Sequence, residues 1–277
     1  MARHRRGGHR RRGRRVGRRG RGAGPPGAEI GGANPFRDGG AAYAAHRPTY
    51  PTEVADALAA ACGRREHALD VGCGSGQLST LLAARFDRVT ATDPSADQIA
   101  SAAPHPRVAY RVEPAERIGL AAASVDLLTA AQAAHWFDLD AFHAEARRVV
   151  RPGGLVALLC YGVPTLGGAV GARFARFYWD EIHPHWPAAR RHVEEGYRGL
   201  PFPYPEAALP ETWIVRDWPR DALLGYVRTW SAVRRAEAAG QGATLAAFEA
   251  DLAALWPDPR EARRVRWPVV GRLGRVG

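Results

Sequence analysis

The chain contains no lysine, no methionine after Met1 and only three cysteines in 277 residues. All 39 basic residues other than histidine are therefore arginine. Uniform arginine usage removes any argument that one arginine was selected over lysine for its planar fork. Cys62, Cys73 and Cys160 lie far apart without metal-ligand spacing. That excludes a disulfide scaffold or a cysteine-built zinc site, and predicts buried thiols in a reducing compartment. Long apolar runs are missing as well: the longest, around LVALLCYGV, is roughly half of the ~20 residues that cross a bilayer. Acids are absent from residues 1–22, which hold 11 arginines. Removing that segment from the net charge of +11 leaves 11 − 11 = 0. Basicity thus belongs to the tail and not to the rest of the chain. The following GAGPPGAEIGGAN lacks the apolar centre of a signal peptide, so a cytoplasmic protein is expected, with no membrane partner.

Residues 1–34, rich in Arg, Gly, Pro and Ala, cannot bury enough apolar surface to offset ordering entropy and are expected to be disordered. From about Pro35 the pattern becomes globular. TEVADALAAAC has helical spacing, ALDV reads as a short buried strand, and GQLSTLLAARF as a helix. RVTATD is the next strand, with Ser95 and Gln98 spaced as a capping box behind it. RVAYRV and SVDLLTAA are two further strands, Asp140 is the expected cap of AFHAEARRVV, RPGG turns, and LVALLC is a fifth strand. Strands separated by helix-length segments predict an α/β fold, a parallel sheet with crossover helices on both faces. After Tyr161 the chain becomes aromatic and proline-rich. It resumes with a strand at ETWIVRDW, helices at DALLGYVRTWSAVRR and TLAAFEADLAALW, and a last strand in RRVRWPVVGRLGRV.

LDVGCGSGQL places Gly72, Gly74 and Gly76 between a strand and a helix. Glycines there permit a tight turn and close approach of a ligand to the backbone. In a doubly wound sheet, ligands bind beyond the carboxyl ends of the strands. Asp93, 21 residues after Gly72 at the end of the second strand, is placed to accept hydrogen bonds from ribose hydroxyls. A dinucleotide fingerprint needs a further glycine or alanine where this sequence has Gln77 or Ser79, so NAD-dependent oxidoreduction is disfavoured.

The run Asp-x-Gly-x-Gly-x-Gly resembles the first motif of class I S-adenosylmethionine-dependent methyltransferases. YAAHRPTYP, VTATDPSADQIA, VEPAE, SVDLLTAAQAAHWFDLD, RRVVRPGGLVAL and LLGYVRTWSAVRR extend the resemblance over roughly residues 35–277. They place it near the trans-aconitate methyltransferase-like branch. The resemblance implies a doubly wound, mostly parallel seven-stranded sheet with a C-terminal helical and aromatic insertion. It divides the chain into a 1–34 tail, a cofactor-binding half over 35–163, and an acceptor-pocket segment with the last strands over 164–277. S-adenosylmethionine is the implied cofactor. Gly72, Gly74 and Gly76 would line its methionine and ribose side, with Asp70 supporting the turn and Asp93 holding the ribose. Pro94 or Ser95 would flank the adenine, Ala115 and Glu116 would contact it, and Gln132 would face the amino-acid portion. Tyr43 and Arg47 would close over the cofactor, Arg47 meeting its carboxylate.

Methyl transfer from a sulfonium needs alignment and exclusion of water more than a nucleophile, and a general base is optional. His135, in AAHWF beyond the fourth strand, is the candidate base or acceptor-orienting group; fixing its own loop is the alternative. Trp136, Tyr161, Trp179 and Trp230 are candidates for the acceptor wall, with core packing as the competing role for each. Phe177 and Tyr197 share that ambiguity. His183 and His185 in HPHW lack a placed acid, so no metal is expected, and the acids of VEEGYRG read as a solvated face. A carboxylate acceptor would want a cation, and Arg173, Arg176, Arg198 and Arg228 are all available. The expected partner is a small-molecule methyl acceptor, with the chain a monomer or homodimer. The alternative is a non-catalytic cofactor-binding or RNA-associated protein using the arginine tail, which would bind phosphates in a salt-sensitive way.

Overall fold

The computed structural model describes residues 48–277. The tail, Tyr43 and Arg47 lie outside the described residues. A single sheet organises the rest. Its strands are β1 (His67–Val71), β2 (Arg88–Asp93), β3 (Val108–Val112), β4 (Val125–Ala131), β5 (Val150–Tyr161), β6 (Thr165–Leu166), β7 (Glu206–Ala207), β8 (Thr212–Trp218) and β9 (Arg263–Arg275). The order β3-β2-β1-β4-β5-β9 is parallel as far as β5, and β9 then runs antiparallel to β5. Seven strands have substantial length; β6 and β7 are two-residue pairings along β9. β9 is shared end to end, its first half bonded to β8 and its second half to β5.

The central strands are largely buried because helices cover both faces of the sheet. Every residue of β1 is buried. In β5, Leu155, Ala157, Leu159 and Tyr161 enter one core, while Val156, Leu158 and Cys160 enter the other. The first core is closed by α1 (Thr52–Ala61), α2 (Gln77–Ala83) and the C-terminal helices α7 (Arg220–Arg228), α8 (Ser231–Ala238) and α9 (Gly242–Leu255). The second is closed by α4 (Leu139–Val149) through Phe142, Ala146 and Val149, with Tyr197, Leu200 and Tyr204 beside it.

One local expectation changes. Asp138, not Asp140, caps α4, its side chain accepting from the Ala141 amide at 3.2 Å. Asp140 sits in the first turn, where its charge still suits the helix dipole. Ser95 caps α3 (Ala96–Ala100) as expected, its hydroxyl accepting from the Gln98 amide at 3.3 Å. The aromatic segment after β5 builds α5 (Gly168–Arg176), continues as a π-helical turn over Phe177–Ile182, and then forms a 3-10 turn over His183–His185. The short helix α6 (Arg190–Glu194) is tied to β5 by the Cys160 thiol, which donates to the Val193 carbonyl. Among the described residues no helix is long and apolar enough to cross a membrane.

Candidate active site at the strand ends

The turn after β1 is built from three residues in the left-handed region: Gly72 at φ 66°, Gly74 at 55° and Gly76 at 81°. That region is open to glycine and strained for most other residues. A Cβ on Gly72 would lie 2.5 Å from the Ala133 methyl, so the β1 and β4 loops meet across bare backbone. On Gly76 it would strike the Tyr110 ring from β3, whereas above Gly74 nothing comes nearer than the Gln98 side chain at 3.6 Å.

Asp93 braces this turn from β2. Its Oδ2 accepts from the Gly74 amide and its Oδ1 from the Ser95 amide, both at 2.9 Å. The carboxylate is half-buried and faces the glycine turn, with lone pairs beyond those two bonds. Asp70 lies beneath, fully buried, accepting from Ser79 Oγ at 2.6 Å and Thr129 Oγ1 at 2.8 Å. Burial raises its pKa to about 6, against the two hydroxyl bonds, which pull it down. Pro94 is exposed beside the turn, and the Ser95 hydroxyl is spent on its helix cap.

The β4 end supplies the opposite wall. Gln132 adopts φ 57°, its amide donating to the Leu159 carbonyl at 2.8 Å and its side-chain Nε2 to the Tyr161 carbonyl at 3.2 Å. It thereby ties the ends of β4 and β5 together while its own side-chain oxygen stays available. Ala115 is buried in the second core, and Glu116 accepts from the Asp138 amide at 3.0 Å. Glu116 therefore fixes the loop carrying His135. Cys73 donates its thiol to the Gly74 carbonyl, and burial beside Asp70 and Asp93 raises its pKa, so it is held as a thiol.

His135 Nδ1 lies 2.9 Å from the Tyr197 hydroxyl. Burial lowers its pKa to about 3, with Arg190 and His192 adding to the effect, so the imidazole is neutral at physiological pH. Burial likewise raises the Tyr197 pKa. A neutral imidazole with one nitrogen fixed by a phenol can accept or direct a proton at the other nitrogen. Removing the phenol in Tyr197→Phe is expected to lower kcat about ten-fold or more with KM changed less, because the ring loses its orientation. A steady-state assay in which kcat is unchanged would count against any such role.

The aromatic candidates separate. Tyr161 is buried at the end of β5, edge-on to Tyr50 at 5.9 Å between ring centroids. Trp136 is 48% exposed at the rim, 4.9 Å from His135. Trp230 is only 2% exposed and packed among Phe174, Phe177, Tyr178, Trp186 and Tyr226. Trp179 departs from the expectation: it is 49% exposed on the outside of the π-helical turn, against Tyr178 and His183. The neighbouring Tyr178 faces inward instead. Of the candidate anchors, Arg173 and Arg176 pair with Glu181 and Asp251, and Arg228 pairs with Glu249. Glu194 in VEEGYRG is not a solvated acid; it accepts from Tyr178 and lies beside Arg190 and His183. Among the described residues no group of three or more His, Cys, Asp or Glu is arranged to hold a metal.

Residues 69–158 match the family model described as "Methyltransferase domain". A protein of Dictyostelium discoideum named as a methyltransferase is 32% identical over 198 residues, covering 68% of this chain and 73% of that protein. The solved structure of a type II methyltransferase from Anaeromyxobacter dehalogenans is 48% identical, with a TM-score of 0.79, over 83% of this chain and 98% of its own. The chain belongs to the class I S-adenosylmethionine-dependent methyltransferases. A methyltransferase of Mycobacterium tuberculosis is 40% identical over 119 residues, where the match spans about half of that relative, 48%. The methyltransferase uses S-adenosylmethionine, and its residues suit that ligand. A Cβ on Gly74 would meet nothing nearer than Gln98 at 3.6 Å, a carboxylate stands beside it, and among the described residues the buried hydroxyls of Tyr50 and Tyr110 have no partner.

Sequence reading passed over Tyr50, although it sits in the quoted YAAHRPTYP. The residue is 7% exposed, and its pKa is raised by burial and by neighbouring Cys160, Tyr161, Tyr197 and Asp70. That neighbourhood places it above the ends of β1 and β5. Its signal was a second tyrosine seven residues after Tyr43, in the same block. Arg190, Trp186 and Glu194 were also missed as site residues.

Proposed function

We propose that the protein transfers the methyl group of S-adenosylmethionine to a small-molecule acceptor seated between the strand ends and the aromatic segment after β5. The observation that carries this reading is the turn of three left-handed glycines braced by a carboxylate from the next strand. In this reading Gly72, Gly74, Gly76 and Asp93 hold the nucleoside end, with Pro94, Ser95, Ala115 and Glu116 around the adenine. Gln132 serves the amino-acid end, and Tyr43 and Arg47, which the resemblance assigns to the same cofactor, lie outside the described residues. The bound sulfonium supplies an activated methyl group whose leaving group is already neutralised on departure.

The chain itself aligns and desolvates. Asp93 holds a diol through charge-assisted bonds, while Asp70, locked by Ser79 and Thr129, keeps the turn in register. Tyr50, Tyr161 and Tyr197 exclude water from the strand ends. His135, held by Tyr197, orients the acceptor or accepts its proton where the acceptor carries one. Alignment alone accounts for roughly 7–11 kcal/mol of barrier lowering in well-oriented reactions, so a weak or absent base is compatible with an efficient transfer.

Calorimetry with S-adenosylhomocysteine tests the reading directly. Binding in the micromolar range is expected, and none at millimolar ligand would refute it. Asp93→Ala should weaken binding by about ten- to a hundred-fold, since hydrogen bonds to a charged group contribute about 1.5–3 kcal/mol. Asp93→Asn keeps an acceptor for the Gly74 amide and should fall between the two. Unchanged affinity in both variants would remove Asp93 from the cofactor site.

A further inference from the structure

Arg190 and Trp186 form a donor-only corner beside the aromatic cluster that follows β5. Arg190 opens α6, and its side chain is 16% exposed. Its guanidinium lies 4.7 Å above the Trp186 ring and 5.8 Å from the Tyr178 ring. One side of that fork is fixed: Nε donates to the Tyr178 hydroxyl at 3.0 Å and stands 3.6 Å from Glu194. Glu194 is itself committed, accepting from Tyr178 at 2.5 Å and meeting His183 at 3.2 Å. No described residue bonds the two terminal nitrogens of Arg190. Among the described residues the buried indole Nε1–H of Trp186 has no partner.

A buried donor is almost always satisfied, so the Trp186 indole N–H, beside the unbonded fork of Arg190, calls for an acceptor that the described residues do not supply. Neither group can accept a hydrogen bond, which excludes a ligand that presents only donors. An arginine held at Nε with its terminal fork free matches the two oxygens of a carboxylate. The corner lies on the His135 side of the aromatic cluster: burial lowers the His135 pKa with the Arg190 charge adding to the effect, and Trp186 packs 5.5 Å from Trp230. The flanking rings suit an apolar or planar body.

We propose that the methyl acceptor is an organic anion whose carboxylate is seated by the terminal nitrogens of Arg190 and the indole N–H of Trp186. This rests on the methyltransferase reading of the same site. In contrast to Arg173, Arg176 and Arg228, which pair with carboxylates, Arg190 combines a fixed stem, an aromatic stack and a fork that no described residue bonds.

The test uses full-length protein saturated with S-adenosylhomocysteine. Benzoate, phenylacetate and succinate are each titrated by calorimetry against their amides. At least one acid is expected to bind about ten-fold or more tightly than its amide, the scale of a charge-assisted bidentate pair. Arg190→Gln should erase that preference, and Trp186→Phe, which keeps a ring but removes the N–H, should weaken the acid several-fold. Both variants should retain wild-type affinity for S-adenosylhomocysteine, which shows that they are folded. Acids that bind no better than their amides, or not at all, overturn the proposal, as does a preference that survives Arg190→Gln. Failure of S-adenosylhomocysteine itself to bind would instead strike the methyltransferase reading, so the two failures are distinct.

Discussion

Gly72→Ala is expected to abolish measurable S-adenosylhomocysteine binding and to destabilise the protein by about 2–4 kcal/mol, or about 5–15 °C in Tm. Two costs combine. The residue sits at φ 66°, where an alanine is strained, and its new methyl would lie 2.5 Å from the Ala133 Cβ and 3.3 Å from the Phe137 ring. Ala133 cannot yield by rotating a side chain, because its methyl is fixed to the backbone. Moving it means displacing Gln132, whose amide is bonded to Leu159, and the Asp138 amide held by Glu116. The whole β4 end would shift away from the glycine turn. Gly153→Ala separates the two costs. Gly153 has φ 79° but nothing within 4 Å of its would-be Cβ, so it carries backbone strain alone. That variant should lose about 1 kcal/mol and bind the ligand normally. A Gly72→Ala protein indistinguishable from Gly153→Ala in thermal unfolding and calorimetry would show that the close approach of the loops is unimportant.

The fold was legible where local signals and burial agree. β1, β2 and β4 are short apolar runs with a glycine turn or an acid at their ends, and both features act over a few residues. Legibility failed where a distant contact chooses between similar neighbours. Asp138 and Asp140 are equally good caps by sequence, and Asp138 is selected because Glu116, 22 residues earlier, holds its amide. Arg190 and Arg191 are adjacent and identical, yet one is 16% exposed and the other 73%. The inward one is decided by Tyr178 and Trp186, which no local pattern identifies. Glu194 and Glu195 divide in the same way, at 11% and 43%. The double pairing of β9 was hidden too, because a strand bonded to β8 by one half and to β5 by the other reads as one ordinary strand. The cofactor turn was thus readable from its glycines, while the acceptor wall was visible only as an excess of aromatics.

Asp70 and His135 should give the site two opposed pH dependences, separable by single substitutions. Burial raises the Asp70 pKa from 3.8 to about 6, so the fold holds its proton more tightly than the unfolded chain does. Its contribution to stability is fully present below pH 3.8 and is lost as pH rises to about 6. Burial lowers the His135 pKa from 6.5 to about 3, so the fold holds that proton less tightly. Its contribution is present above pH 6.5 and is lost as pH falls toward 3. Each slope is about 1.4 kcal/mol per pH unit, so between about pH 4 and 6 the two nearly cancel in the wild type. Asp70→Asn removes the first. Relative to wild type it should gain about 3 kcal/mol of stability as pH rises from about 4 to 6, while its own acid limb becomes steeper. His135→Gln removes the second, and its difference from wild type should slope the other way by a similar amount over the same range. Taking differences cancels the shared background of His67 and His143, which burial also lowers, and of Asp56, Glu66, Glu145 and Asp217, lowered by arginine partners. Urea unfolding at four pH values on the three proteins measures both slopes. Parallel or flat differences would mean that neither group feels its burial as described, and the neutral imidazole facing the acceptor would lose its physical basis.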